Sequence, residues 1–162
     1  MVMHRLRLNA EKYCHDNSCE LFDKAILGAG EDGEIWRTCS DTAVKAFYRE
    51  KNYVNELECY RRLHSSGWTQ IDGLAVPLLE GSSDDLLIIE ITIVQPPRIL
   101  DFGKVYIDRP PPYWKDELVI KDLNDRIDEH YGENAARVHL VLHKLKSLGI
   151  YYADPRPGNI DF

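Results

Sequence analysis

Residues 28–47 read Gly28-Ala29-Gly30-Glu31-Asp32-Gly33-Glu34-Ile35-Trp36-Arg37-Thr38-Cys39-Ser40-Asp41-Thr42-Ala43-Val44-Lys45-Ala46-Phe47. The spacing Gly28, Gly30, Gly33 is G-x-G-x-x-G, in which glycines let a backbone approach phosphates and aim N–H groups at them. A dinucleotide-binding unit needs a helix directly after the last glycine. Here Glu34 to Cys39 is followed at once by the turn Ser40-Asp41 and a second β-rich run. The pattern is therefore strand, glycine turn, strand, a hairpin that could cover a nucleotide or simply turn the chain.

Lys45 interrupts the strand beside that hairpin. With a period of two it shares a face with Ala43 and Phe47, and an ammonium on a half-buried face needs a carboxylate or an anionic ligand. The next element supplies a carboxylate. Arg49 to His64 reads as a helix closed by Ser65-Ser66-Gly67. At 100° per residue Tyr53, Glu56, Leu57, Tyr60 and Leu63 share one arc, whereas Glu58 points away with Arg61 and Arg62. Glu56 is the inward acid, and an ion pair with Lys45 is expected.

Working outward, Glu20 to Leu27, Ile35 to Cys39, Thr42 to Tyr48, Leu74 to Leu79 and Leu86 to Val94 are short apolar or β-branched runs parted by turn signals. Five antiparallel strands are expected, with one helix between the third and fourth. The stretch Gln95 to Lys115 is punctuated by proline and reads as a linker containing a strand or hairpin. Asp116 to Tyr131 and Ala135 to Leu148 carry helical periodicity, and in the second Val138, Val141, Leu142, Leu145 and Leu148 define the buried face. Gly149 is positioned to stop that helix, and Ile150-Tyr151-Tyr152 leads as a short strand into Ala153-Asp154-Pro155-Arg156-Pro157-Gly158-Asn159. Asp154 and Asn159, five apart across a turn, can bring a carboxylate and an amide oxygen into one pocket. Asp-Pro and Pro-Gly are also ordinary turn dipeptides.

At 162 residues, 44% hydrophobic and 29% charged, the chain is expected to form one domain with a real core. A net charge of −7 excludes a non-specific grip on nucleic acid or on an anionic membrane. No apolar run approaches a membrane span and the first residues lack a signal-peptide core, so a cytoplasmic protein is expected. Cys14, Cys19, Cys39 and Cys59 form no C-x-x-C pair, which points to reduced, structural thiols. Trp68 and Trp114 are read as core anchors. His139 and His143, i and i+4, fall on the polar side of the last helix.

Taken in order, Gly28 to Ile35, Ala43-Val44-Lys45, Glu56 within Glu56-Leu57-Glu58-Cys59-Tyr60-Arg61-Arg62-Leu63, the strand ending Ile88-Ile89-Glu90, and Gly149 to Ile160 resemble the protein-kinase-like fold. The resemblance covers roughly residues 20–162. It implies an α+β chain: a five-stranded antiparallel small lobe with one helix (about 20–94), a proline-rich linker (95–115) and a reduced helical large lobe (116–162). It further implies that Gly28, Gly30 and Gly33 cover the ATP phosphates and that Lys45 touches them, held by Glu56. Glu90 to Val94 would be the adenine-binding hinge. Asp154 would be the catalytic-loop aspartate, Arg156 the basic residue two positions on, and Asn159 the Mg²⁺-binding asparagine.

Two departures from that pattern bear on function. The family's metal-binding D-F-G follows the asparagine by about a dozen residues, but here Asp101-Phe102-Gly103 precedes it, and the sequence stops three residues past Asn159. Either the match is a chance one in a linker strand, or the segment folds beside the Asp154 loop and supplies Asp101 as a second metal carboxylate. Asp161 is the other candidate for that role. The expected function is ATP binding with Mg²⁺-dependent phosphoryl transfer to an unidentified hydroxyl acceptor. The alternative is a non-catalytic, pseudokinase-type module that binds nucleotide or a partner protein. The sequence leaves the oligomeric state open.

Overall fold

The computed structural model describes residues 2–162, and the side chains of all of these except residues 2–4 and 23–25. Along the chain come α1 (Val2–Asp16), β1 (Leu21–Ala29), β2 (Gly33–Thr38), β3 (Thr42–Phe47), α2 (Glu50–Ser65), β4 (Gln70–Ile71), β5 (Leu74–Ala75), β6 (Leu79–Ser83), β7 (Ile88–Thr92), β8 (Arg98–Ile99) and β9 (Val105–Ile107). Then follow α3 (Glu117–Tyr131), α4 (Ala135–Ser147), β10 (Ile150–Tyr152) and β11 (Ile160–Asp161). The architecture is α+β, an antiparallel sheet followed by helices. The chain divides into two compact units, one formed by residues up to Arg61 with Pro77–Ile93, the other by Arg62–Val76 with Val94–Phe162.

The first unit is built on a sheet of order β1-β2-β3-β7-β6, with every neighbouring pair antiparallel. This is the expected five-stranded sheet with α2 between its third strand and its fourth, β6. Its central strand, β3, is buried on both faces. Val44 and Ala46 join Trp36 and Ile88 in a core closed by Leu6, Ala10, Tyr13 and Cys14 of α1. On the opposite face Phe47 meets Tyr53 of α2 edge-on, ring centroids 5.8 Å apart. Glu56, Leu57, Tyr60 and Leu63 are buried with Tyr53, the arc that the helical period marks.

Three expectations are corrected. α1 was not anticipated, so this unit holds two helices and not one. Leu6, Ala10, Tyr13 and Cys14 stand at i, i+4, i+7 and i+8, a helical stripe hidden among charged residues. Leu74 to Leu79 is no single strand, because Pro77 has no N–H for a ladder; β5 ends before it and the fourth strand of the large sheet, β6, begins after it. Trp68 and Trp114 are half-exposed, and the fully buried tryptophan is Trp36.

In the second unit the stretch 95–115 contains the short strands β8 and β9. β8 pairs parallel with β5 and antiparallel with β11, in a sheet of order β11-β8-β5-β4, and β9 pairs antiparallel with β10. Asp116 caps α3, its carboxylate accepting from Leu118 N at 2.9 Å. α4 buries Val138, Val141 and Leu145 and stops at Gly149, whose φ of 71° suits glycine. The Arg62 guanidinium holds that stop, donating to Leu148 O at 2.9 Å and to Asp108 at 2.7 and 2.9 Å. No helix is long and apolar enough to cross a membrane among the described residues.

Candidate functional site

The residues singled out in the sequence fall into two sets, one in each unit. In the first unit Lys45 Nζ donates to Glu56 Oε2 at 2.7 Å, with side chains 5% and 1% exposed. Two charges so deeply withdrawn from water each need a partner of opposite sign. The ammonium also lies 5.0 Å from the centroid of the Phe47 ring.

The glycine hairpin turns tightly. Gly30 N donates to Gly33 O at 3.0 Å, while Gly28 pairs with Ile35 within the ladder, so only residues 30–32 form the turn. None of the three glycines adopts a left-handed φ. Their reasons differ. A methyl on Gly33 would press into the Ala46 carbonyl, so close β2–β3 packing demands glycine there. A methyl on Gly28 would come no nearer than 4.0 Å to Ile35 Cδ1, and one on Gly30 would meet nothing within 4 Å. The fold itself makes no demand for glycine at these two positions. The hairpin is anchored by Asp32, which accepts from Asn52 Nδ2 of α2 at 2.5 Å and from Tyr48 N at 3.0 Å. Sequence reading missed that anchor, because an acid inside a glycine turn carries no periodic signal.

Glu90 departs from its expected place. It lies in mid-strand, opposite Val44, and therefore faces α1 while Lys45 faces α2. Its carboxylate accepts from Tyr13 Oη at 3.0 Å and Thr42 Oγ1 at 2.5 Å. The Glu90 side chain is thus spent on holding α1 to the sheet, and burial together with this carboxylate pushes the Tyr13 phenol up.

In the second unit one upstream segment frames the loop that follows β10. β9 flanks Ile150–Tyr152 and β8 flanks Ile160–Asp161, and Asp101-Phe102-Gly103 lies in the connection between them. Tyr152 Oη donates to Asp101 O at 2.5 Å, the Phe102 and Tyr152 rings stand 5.7 Å apart, and Ala153 N donates to Lys104 O at 3.0 Å. The D-F-G segment therefore runs alongside the Asp154 loop despite preceding it by some 50 residues. Within the loop Asn159 Nδ2 donates to Asp154 O at 3.0 Å and to Asp154 Oδ2 at 3.3 Å. Arg156 Nε lies 3.2 Å and Lys104 Nζ 3.9 Å from the same carboxylate oxygen. Asp161 pairs with Arg98 at 3.3 Å and accepts from Gly158 N at 3.2 Å, and Asp101 Oδ1 accepts from Gly103 N at 2.8 Å. Among the described residues no three His, Cys, Asp or Glu side chains converge as a metal cluster.

Comparison with known proteins is sparse. No family model and no curated protein matches the chain. Among solved structures, a streptomycin–ATP–APH(2")-IIa ternary complex is similar at 21% identity, over 53% of this chain and 28% of that one, with a TM-score of 0.39. The chain thus spans well under half the length of the structure it matches.

The second set concentrates charge of both signs. Three acids, Asp101, Asp154 and Asp161, stand with Arg98, Lys104 and Arg156 around one turn. The acids are felt by the tyrosines nearby: burial, with Asp161 and Asp154 adding to it, pushes the Tyr131 phenol up to about 12, and Tyr113 is raised by burial, by Tyr106 and by Asp154. Lys104 and Arg98 were not singled out in the sequence. Their signal was their place beside Asp101, in a stretch read as a linker.

Proposed function

We propose that the chain is a protein-kinase-like phosphotransferase that binds ATP with Mg²⁺ and phosphorylates a hydroxyl acceptor. The observation that carries this reading is the buried Lys45–Glu56 pair. A buried ion pair is weak support for stability, since an apolar pair of the same volume does as well or better. Such a pair is better explained as a held cation, and a lysine fixed by a carboxylate in a strand next to a glycine hairpin suits phosphate oxygens. Gly28 and Gly30, which the fold does not require, keep that hairpin bare.

The donor set of the second unit fits a hard divalent cation, being made of carboxylate and amide oxygens. Asn159 and Asp101 are the residues that would hold it. Asp161 is the other candidate carboxylate, its oxygens engaged by Arg98 and by Gly158 N–H. Bound Mg²⁺ supplies neutralisation of phosphate charge. Asp154 would orient the acceptor hydroxyl and take its proton, while Asn159 fixes the carboxylate and Arg156 balances its charge. The same contacts favour a second reading. Asp154 Oδ2 is already engaged by Asn159, Arg156 and Lys104, as suits a module that binds nucleotide without turning it over.

Thermal unfolding with ATP, with and without Mg²⁺, tests both, because a ligand of the folded state raises the apparent melting temperature by mass action. A Mg²⁺-dependent upward shift is expected. Gly30→Val should keep the melting temperature of the free protein and shrink the shift, Asn159→Ala should remove its Mg²⁺ dependence, and Asp154→Ala should spare it while abolishing ADP release. No shift at millimolar ATP overturns the proposal, and a shift without ADP release from the wild type selects the second reading.

A further inference from the structure

The end of α1 carries two thiols that the proposed function does not use. Cys19 N donates to Cys14 O at 2.9 Å and Ser18 N to His15 O at 3.2 Å, with Ser18 at φ 59°. This is the Schellman stop of a helix, a motif that frequently packs the side chain of the third residue before the cap against that of the second residue beyond it. Those two residues are Cys14 and Cys19, and Cys19 packs against the core cluster that holds Cys14. Both are free thiols, Cys14 buried and Cys19 half-buried. Cys19 lines an open surface recess of about 380 Å³ together with Glu11, His15, Ser18, Glu20 and Leu21. One sulfur is therefore reachable from solvent and the other waits behind it.

We propose that Cys14 and Cys19 form an oxidisable pair, which a peroxide entering this recess converts to a disulfide that staples the end of α1 to the chain leading into β1. The Cys19 thiolate attacks one peroxide oxygen, the O–O bond breaks, and the hydroxide released takes up a proton to leave as water. Cys19 is then a sulfenic acid. The Cys14 sulfur attacks the Cys19 sulfur, the S–O bond breaks, and the hydroxyl leaves with the Cys14 proton as a second water. In sum two thiols and one peroxide give one disulfide and two waters. Burial raises the Cys14 thiol and keeps it protonated, so the first oxidation falls on Cys19.

Cys39 is the competing sulfur. It is exposed, and its N–H donates to Glu20 O, just before β1, at 2.9 Å. Tryptic digestion separates the outcomes, because Tyr13–Lys24 holds both members of the proposed pair and Thr38–Lys45 holds Cys39. The folded protein is treated with hydrogen peroxide, alkylated without reductant, digested and weighed. The expected result is a Tyr13–Lys24 peptide two hydrogens lighter, unalkylated, and restored by dithiothreitol. Cys39→Ser should leave this unchanged and Cys19→Ser should abolish it. A cross-link between the two peptides, a Cys19 sulfinic acid with Cys14 alkylated, or full alkylation of both thiols would each overturn the proposal. The readout does not involve nucleotide, so it stands or falls apart from the proposed activity.

Discussion

Lys45 and Glu56 show how far a single pair of residues can be read from sequence. The strand period places Lys45 on one face, the helix period places Glu56 on the inner arc, and the two meet at 2.7 Å. Lys45→Met alone removes one charge of this buried pair and should cost about 3–5 kcal/mol in denaturant unfolding. Lys45→Met combined with Glu56→Leu should recover most of that loss, since a buried ion pair replaced by apolar side chains of similar volume costs little. Equal stability of the single and double variants would show that the pair is not coupled. Glu90 was not legible in the same way. Its face depends on its register opposite Val44, which is a property of two strands, and its partner Tyr13 lies 77 residues away.

At the scale of elements, α2 and α4 follow directly from their apolar periods, whereas α1 escaped because its buried stripe is narrow and includes Ala10 and Cys14. That stripe nonetheless closes a core. Leu6 is 2% exposed within it, and Leu6→Ala should lower stability by about 2–5 kcal/mol, the cost of lost burial plus a cavity. A change below about 0.5 kcal/mol, the range of ordinary surface substitutions, would mean that α1 does not pack on the sheet in solution. β5 and β6 carry a related lesson. An apolar run is only a strand where each residue can offer its N–H to a neighbour, and Pro77 divides what composition alone joins.

For the whole molecule, the tyrosines make an alkaline prediction. Burial is the first cause raising Tyr13, Tyr53 and Tyr131, helped by Glu90 for Tyr13, by Asp84, which accepts from Tyr53 Oη at 2.5 Å, and by Asp161 for Tyr131. A phenol whose folded pKa lies above its unfolded value near 10 contributes stability that is fully present below pH 10 and lost as pH rises through the folded value. Between pH 10 and about 12 the unfolded chain therefore releases protons that the folded one keeps, and stability should fall. Phenolate absorbance followed beside far-ultraviolet circular dichroism checks this. Part of the nine tyrosines should ionise only as the fold is lost. Ionisation of all nine in one step near pH 10 with the dichroism unchanged would contradict it.

The sequence by itself determined what periodicity and turn chemistry can express: a run of short antiparallel strands, a helix presenting Glu56 inward, the α4 stripe stopped at Gly149, and a turn carrying Asp154 and Asn159. These are local, because each depends on which way successive side chains point along one element. Only the tertiary structure decided that Asp101-Phe102-Gly103 lies beside the Asp154 loop and that Glu90 faces α1. The physical reason is that strand pairing is set by backbone hydrogen bonds between segments far apart in the chain. Those bonds have no side-chain period, so β8 and β9 could be recognised as the frame of the loop only once their partners, β11 and β10, were in place.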